Sequence, residues 1–356
     1  MAHETLRGFP SLSGGGGGGG GPRLSGPGRF RTAGRAPSHP HPPPVGPTTS
    51  VVPALPGIED ARLRHSFETC ARITRERARN FYHGLRLTPD PRRGAIYSIY
   101  TWMRAADDLA DEHKPLDERR RNLAEFRGLT ERCLGGEAPG ADMDAWWPAF
   151  AATCASYPID PIIFSEMLDG LESDLDHDTY PDDDALSLYC YRVAGTAGLA
   201  CLWIWGLREG ADAAKARELA LRRGQAFQRT NILRDFAQDF DETPSRVYIP
   251  ASALGANRLT GEDLRLWRDD GRCTRLVLDQ CRIAREHYDA SADLESMIDP
   301  ACAPTLWAMT RIYAGILTLI EREPSRIAGE RRVRLAGAKK VSIALGAALW
   351  AKVGRW

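Results

Sequence analysis

From about residue 58 onward, apolar residues recur every three or four positions, the spacing that places them on one face of an α-helix. No region of this span is rich in the alternating apolar and polar residues that indicate a β-strand. Turn-forming clusters such as Thr88–Pro91 interrupt the pattern and divide it into separate helices. The pattern therefore predicts one all-α domain over residues 58–356, folded as a helical bundle.

Two parts of the pattern carry further expectations about local structure. Gly195 and Gly198 lie inside a strongly apolar helix and cost roughly 1 kcal/mol each relative to alanine, so we expect a bend or a close backbone contact there. The aspartate cluster over residues 174–184 lacks a helical stripe, and we expect a solvated loop that ends in a helix N-cap. The predicted helices cover residues 58–81, 97–112, 116–134, 146–157, 162–175, 186–205, 211–241, 264–296 and 304–321.

Residues 1–57 differ from the rest of the chain. They contain an unbroken glycine run, Gly14–Gly21, followed by sequence rich in proline, serine and arginine. Such a segment has too few apolar groups to offset the chain entropy lost on folding, so we expect a disordered low-complexity tail. It lacks the apolar core of a secretory signal, and its Arg-rich, nearly acid-free composition leaves a targeting arm as the alternative.

One predicted helix carries a row of acids. Residues 97–112 begin apolar and aromatic and end with four acids in six positions. Asp107 and Asp111 are four residues apart, so they lie one turn apart on the same helix face. Their carboxylates repel unless a cation lies between them, and Mg²⁺ prefers such oxygen ligands. An exposed acidic helix end is the alternative, but Arg104, one turn earlier in an apolar segment, favours a site.

A second helix carries a similar polar row. Asn231, Asp235 and Asp239 follow one another at intervals of four, and Gln228 extends the same face by one turn. Apolar side chains occupy the rest of this helix. Either row alone could be an ordinary surface stripe. Together, the two rows predict two facing walls of one metal site.

Composition and charge exclude several other classes of function. Lys plus Arg, 47, equals Asp plus Glu, 47, so no overall positive field indicates nucleic-acid binding. None of the eight cysteines forms a Cys-x-x-Cys pair, so we expect buried, reduced thiols in a cytoplasmic protein. We find no apolar run of the roughly 18 residues needed to span a bilayer. No Gly-x-Gly-x-x-Gly follows a strand pattern, so nothing indicates a dinucleotide fold.

Four motifs carry a resemblance to a known family. They are Tyr100-x-x-x-Arg104-x-x-Asp107-Asp108-x-x-Asp111-Glu112, Tyr189-Cys-Tyr-Arg-Val-Ala-Gly-Thr-Ala-Gly198, Gln228-x-x-Asn231-Ile-Leu-Arg-Asp235-x-x-x-Asp239 and Arg246-Val-Tyr-Ile-Pro250. In this order, over about residues 60–345, the sequence resembles the squalene and phytoene synthase family of head-to-head prenyl transferases. The resemblance implies an isoprenoid synthase-type bundle with a central active-site cavity between facing helices.

The resemblance also implies roles for individual side chains. Two or three Mg²⁺ ions, with Mn²⁺ as a substitute, would be held by Asp107, Asp111, Asn231, Asp235 and Asp239, with Asp108 as a partner of these ligands. Catalysis would depend on Tyr189, Arg104, Asp107 and Asp235. Prenyl diphosphate substrates would be bound by Arg77, Asn80, Tyr100, Arg104, Gln228, Arg234, Tyr313, Arg332 and Lys340. The aromatic wall that stabilises a carbocation would include Tyr100, Tyr189, Phe227 and Tyr313.

Two of these assignments have solvent-exposed alternatives. Residues 77–81 depart from the Ser- or His-containing segment of the family, so their arginines are equally explained as surface groups. The basic segment 331–340 is either a cationic flap over the diphosphate or the solvated start of a helix. Because an apolar stretch follows it, we also expect peripheral contact with the inner face of a membrane.

The implied reaction joins two prenyl diphosphates head to head and releases pyrophosphate. The allylic cation from one substrate attacks a double bond of the second, and proton loss, to Tyr189 or to pyrophosphate, closes a cyclopropane. From the C-terminal sequence we expect two farnesyl diphosphates to give presqualene diphosphate, with a phytoene or dehydrosqualene synthase as the alternative. A head-to-tail prenyl transferase, a terpene cyclase and a non-catalytic assembly partner are further alternatives, which the motifs and the intact acids oppose. Downstream isoprenoid-pathway enzymes are the expected protein partners.

Overall fold

The computed structural model describes residues 60–78, 80–111, 114–140, 143–176, 179–243 and 245–353. Within these ranges every regular element is helical, which confirms the predicted all-α class, and extended pairing is limited to the isolated bridges Thr179–Val247 and Leu207–Ile298. The predicted tail, residues 1–57, lies outside the described residues. The helices are α1 (Ala61–Arg77), α2 (Asn80–Leu85), α3 (Arg92–Asp111), α4 (Leu116–Leu134), α5 (Trp147–Ser156), α6 (Ile162–Asp176), α7 (Asp183–Cys190), α8 (Thr196–Trp205), α9 (Ala213–Asp241), α10 (Ala251–Ala256), α11 (Gly261–Arg265), α12 (Asp270–Ala290), α13 (Leu294–Met297), α14 (Ala303–Arg322) and α15 (Gly337–Val353).

Two long predicted helices are divided in the structure. The predicted helix 58–81 corresponds, within the described residues, to α1 and the start of α2, because α1 packs against α3 and α5 whereas α2 packs against α14. Residues 264–296 contain the end of α11, all of α12 and most of α13. The chain turns between α11 and α12 at Trp267, which has a positive φ of 50°, and α12 then begins after the N-cap Asp269. In both cases tertiary packing overrides a continuous helical pattern.

The acid-bearing helix α3 runs through the first of two apolar cores. It packs against α1, α4, α5, α6 and α8. Trp102 is fully buried, its ring stacks on Phe150 at 5.7 Å, and its Nε1 donates a hydrogen bond to Thr130 at 2.9 Å. This packing fixes the rotation of α3, and with it the direction in which the acid row points.

The second core surrounds α9, the helix with the other polar row. Here α9 packs against α8, α12 and α14 and against a π-helical segment, Tyr191–Gly195, that joins α7 to α8. A Cβ on Gly224 would lie 2.8 Å from the carbonyl oxygen of Ala194 and 2.9 Å from the Cα of Gly195. The close backbone contact expected near Gly195 is therefore present, and it brings α9 directly onto the π-helical segment.

The predicted burial of the cysteine thiols is confirmed for most of them, the cytoplasmic setting stays a prediction, and the membrane prediction needs a correction. All eight cysteines are free thiols, six of them buried. The stretch Asp183–Trp205 is long and apolar enough to cross a membrane by length and composition alone, although it contains charged residues. In the structure this stretch is divided into α7, the π-helical segment and α8, and α8 packs against α3, α6 and α9 as a core helix does.

Candidate active site

The α3 row consists of Asp107 and Asp111, and arginines partner the acids around it. Arg104 donates a hydrogen bond to Asp107 at 2.7 Å and another to Asp108. Arg77 of α1 also donates to Asp108, at 2.7 Å, which agrees with the predicted role of Asp108 as a partner rather than a ligand. Burial raises the pKa of Asp107 to about 6, and repulsion from Asp111 adds to this effect.

The α9 row combines one amide with two carboxylates. Asn231 donates from Nδ2 to Gln228 at 3.3 Å, while its Oδ1 is buried with no hydrogen-bond partner. Asp235 accepts hydrogen bonds from Arg234 at 2.7 and 2.5 Å and forms an ion pair with Arg332 at 2.8 Å. Burial, followed by repulsion from Asp235, raises the pKa of Asp239 to about 7. Both rows therefore contain a carboxylate that resists ionisation in the absence of a cation.

A single arginine links the two rows. Arg246, in the loop after α9, donates from Nη1 to Asp111 of α3 at 3.1 Å. Its backbone N–H donates to the carbonyl oxygen of Asp239 at 2.9 Å. The end of α3 that bears Asp111 therefore lies close to the end of α9 that bears Asp239, and the arrangement of the two rows as facing walls of one metal site stays a prediction.

The donor set fits Mg²⁺, although no ready-made cluster is present. Among the described residues, no three His, Cys, Asp or Glu side chains are gathered closely enough to hold an ion by themselves. Mg²⁺ usually binds through one or two carboxylates, with water and substrate phosphates completing its shell. The rows supply only oxygen donors, and the unpartnered Oδ1 of Asn231 is a neutral donor left without a hydrogen bond.

Aromatic side chains lie beside the α9 row. Tyr313 of α14 is 1% exposed and packs against Phe227 with ring centroids 5.0 Å apart. The guanidinium of Arg234 lies 5.8 Å from the centre of the Tyr313 ring. Burial raises the pKa of Tyr100 to about 12, and Arg104 and Asp107 also act on it electrostatically, so Tyr100 lies near the α3 row. Burial raises the pKa of Tyr313 to about 12 as well, and the charge of Arg234 acts against this shift.

The predicted C-terminal basic residues lie near the α9 row. Arg332 pairs with Asp235 and also donates to Gln238 of α9. Burial lowers the pKa of Lys340, and repulsion from Arg334 and from Arg234 adds to the shift. Arg332 therefore contacts the α9 row directly, and the flap interpretation of this segment stays a prediction.

The predicted residues at the start of the domain are less closely tied to the site. The Arg77 side chain is 48% exposed and reaches the site only through Asp108. Asn80 begins α2, and its side chain lies outside the part of the chain that the structure describes.

The expectation of a solvated acidic loop is wrong for Asp174. This residue lies in the last turn of α6, and its carboxylate accepts hydrogen bonds from Tyr180 at 2.7 Å, Tyr189 at 2.8 Å and Tyr248 at 3.1 Å. Asp182 is the N-cap of α7, as expected. The error arose because the Asp174 cluster is completed by Tyr248, which is 74 residues away along the chain, and spacing within one segment does not reveal such a contact.

The Asp174 cluster adjoins the acid rows. Repulsion from Asp174 contributes to the raised pKa of Asp107, and attraction to Arg246 acts on Asp174 itself. Tyr189, the tyrosine predicted to act in catalysis, is buried and belongs to the same apolar core as Tyr313.

Comparison with known proteins gives the same family at the level of sequence. A family model described as squalene/phytoene synthase matches residues 74–339. The 15-cis-phytoene synthase of Synechococcus elongatus is 32% identical over 281 residues, which cover 76% of this chain and 89% of the relative. The phytoene synthase of Mycobacterium tuberculosis is 32% identical over 288 residues, which cover 80% and 91%.

Comparison with solved structures gives a similar fold. A dehydrosqualene synthase solved in complex with a ligand superposes with a TM-score of 0.71 at 23% identity, over 82% of this chain and 98% of the other. A squalene synthase from Alicyclobacillus acidocaldarius superposes with a TM-score of 0.66 at 27% identity, over 73% and 95%. The bundle architecture expected from the sequence is therefore confirmed.

Proposed function

The chain belongs to the squalene/phytoene synthase family of head-to-head prenyltransferases, and from that premise we propose that it condenses two geranylgeranyl diphosphates to phytoene with release of pyrophosphate. The observation that carries this proposal is the Arg246 link between the α3 and α9 rows. This link supports one site in which the charged side chains of both rows lie next to buried aromatic side chains. Such a site suits a substrate with a charged diphosphate and a long apolar chain.

The choice of product rests on the relatives. Relatives that are 32% identical to this chain are named phytoene synthases, and they favour phytoene as the product. The C-terminal sequence alone favoured presqualene diphosphate instead. Condensation of two farnesyl diphosphates to presqualene diphosphate or squalene is the second candidate. Its support is the structural likeness to the squalene synthase from Alicyclobacillus acidocaldarius at 27% identity.

The arginines of the site would bind the diphosphate. In the substrate-free protein Arg104, Arg234 and Arg332 each neutralise a carboxylate of the two rows or of Asp108. A guanidinium also matches phosphate oxygens in a bidentate manner, so these groups can exchange a carboxylate for the diphosphate of the substrate. They would stabilise the negative charge that develops on the leaving oxygen.

The two rows would hold Mg²⁺ in the proposed enzyme, through Asp107 and Asp111 on α3 and through Asn231, Asp235 and Asp239 on α9. When bound, the ions would neutralise the departing pyrophosphate. The chain itself supplies the dry environment that a carbocation needs, since Tyr313 is almost fully buried against Phe227. Aromatic faces at this position stabilise positive charge without offering water as a nucleophile.

The experiment that tests the proposal supplies one substrate at a time. Purified protein with Mg²⁺ is incubated with geranylgeranyl diphosphate or with farnesyl diphosphate, each with and without NADPH because squalene formation consumes a hydride, and extracted products are identified by mass spectrometry. Phytoene from the longer substrate is the expected result. Presqualene diphosphate or squalene from the shorter substrate alone would establish the second candidate, and a cyclised product from one substrate molecule would indicate a terpene cyclase.

We further propose that α15 places the enzyme at the inner face of an anionic membrane. Val341, Leu345 and Leu349 recur every four residues along one face of α15 and are 58%, 61% and 63% exposed, while the opposite face packs against α14. Residues 331–356 contain seven Lys or Arg and no Asp or Glu. An apolar helix face with basic flanks is complementary to a surface of acidic lipids, the phase in which prenyl substrates and products dissolve.

Vesicle sedimentation tests this membrane contact. The protein should sediment with vesicles that contain about one-third phosphatidylglycerol, and much less with pure phosphatidylcholine. Leu345→Glu together with Leu349→Glu should abolish sedimentation, whereas Leu278→Glu, at an exposed position on α12, should not. Equal binding by all three proteins would contradict the assignment of α15.

A further inference from the structure

A carboxylate surrounded by three phenols is the most unusual group outside the two rows. Asp174 accepts hydrogen bonds from Tyr180, Tyr189 and Tyr248, and the ring centroids of these tyrosines lie 5.1 to 5.9 Å from one another. The three rings therefore form one packed cluster around a single charge. Two of them, Tyr180 and Tyr189, are buried.

The position of this charge is unfavourable by itself. Asp174 lies in the last turn of α6, where the helix dipole disfavours a negative charge, and no basic residue lies in that turn. Burial also disfavours the charged form and raises the pKa of Asp174. Three phenolic donors and the nearby Arg246 offset these costs. The carboxylate is therefore stabilised by the three tyrosines, and it in turn holds their hydroxyl groups together.

Backbone hydrogen bonds connect the cluster to the loop that joins the two rows. Thr179 forms an isolated parallel bridge with Val247, and the N–H of Ala251 donates to the carbonyl oxygen of Tyr180 at 2.8 Å. Tyr248 lies two residues after Arg246, which pairs with Asp111. The position of the Tyr189 hydroxyl therefore depends on the loop that contains Arg246 and Tyr248, the same loop that contacts the acid rows.

We propose that Asp174 is a positioning residue that fixes the Tyr189 hydroxyl as a hydrogen-bond donor to its own carboxylate. This inference rests on the proposed function, because it assigns Asp174 a role in the condensation reaction. A phenol whose proton is committed to Asp174 presents its oxygen lone pairs and its ring face to the remaining space. It also gains electron density from the charge-assisted hydrogen bond. Both effects favour a positively charged carbon near Tyr189 over a second anionic group.

The test is a double-mutant cycle between Asp174 and Tyr189. Asp174→Asn keeps the shape of the side chain, but its amide group introduces a donor where phenols already donate. We expect kcat for the condensation to fall about 10- to 100-fold, the effect of losing a hydrogen bond to a charged group, with KM changed less than about threefold. In a Tyr189→Phe background, Asp174→Asn should cause no further loss.

Tyr180→Phe is the matched control, because it removes one of the three phenolic donors to Asp174 and leaves Tyr189 in place. It should lower the melting temperature about as much as Asp174→Asn does while keeping kcat within about threefold of the wild type. If Asp174→Asn does not fold, the same cycle is run with Asp174→Glu, which keeps the charge and displaces it by one methylene group.

Three results would overturn the inference. The first is a folded Asp174 variant with a near-normal kcat. The second is an Asp174 effect of full size in the Tyr189→Phe background, since Asp174 would then not act through Tyr189. The third is a kcat loss in Tyr180→Phe equal to that in Asp174→Asn, which would make the cluster a structural support only. A wild-type protein without condensation activity would instead overturn the proposed function, and this inference with it.

Discussion

Arg223, one residue before the close contact at Gly224, offers a direct test of how α9 is held. Its guanidinium donates to Glu295 at 2.7 Å, to the hydroxyl of Ser291 at 2.9 Å and to the carbonyl oxygen of Ser291 at 2.7 Å. The Arg223 and Glu295 side chains are only 4% and 16% exposed. This desolvated pair ties α9 to the segment between α12 and α14, so its loss should loosen the helix that bears the second row.

The expected cost follows from that burial. Arg223→Met leaves the Glu295 carboxylate without its cation, and breaking a buried pair in this way costs about 3–5 kcal/mol in free energy of unfolding. At about 2–4 °C per kcal/mol, the melting temperature should fall by about 6–20 °C. The double variant Arg223→Met with Glu295→Met should recover most of the loss, because two apolar groups pack without an unpaired charge.

Thermal and urea denaturation, followed by far-UV circular dichroism, measure both variants. Arg282→Met is the control, because Arg282 and Glu286 form an ion pair on α12 whose side chains are 61% and 63% exposed. Its loss should cost no more than about 0.5 kcal/mol. An Arg223→Met cost below about 1 kcal/mol, or a double variant no more stable than the single one, would refute the conclusion that this pair is desolvated.

Three further predictions concern the two rows and their support. Asp235→Asn should lower condensation turnover by about 10²-fold or more with unchanged helix content, whereas Asp241→Asn, beyond the row on the same helix, should remain near normal in product assays. The two carboxyls with pKa values of about 6 and 7 bind protons more tightly when folded than when unfolded. Metal-free stability should therefore fall as pH rises from about 4 to 7, and Mg²⁺ should raise the melting temperature more at about pH 8 than at about pH 5.5; equal Mg²⁺ shifts would contradict this. Gly224→Ala should destabilise the protein because its Cβ would meet the backbone at 2.8 Å, whereas Gly255→Ala, with open space around it, should be neutral or slightly stabilising by calorimetry.

The features that could be predicted from the sequence are those fixed by the spacing of residues within a single helix. The four-residue spacing of Asp107 and Asp111 places them on one face of α3 whatever the rest of the chain does, and the same holds for Asn231 and Asp235 on α9. The all-α class, the buried thiols and the family could also be read from the sequence. The breaks after α1 and at Trp267 could not, because each depends on which distant helix the next segment packs against.

The sequence by itself determined the all-α class, the two polar rows and the type of ligand each row offers, since all of these follow from periodicity within single helices. Only the tertiary structure decided that the rows meet through Arg246. It alone also decided that Asp174 is a partnered charge rather than part of a solvated loop, since Tyr248, one of its donors, is 74 residues away along the chain. Such contacts depend on how whole helices dock, and docking is decided by the packing of many side chains together rather than by the spacing of a few.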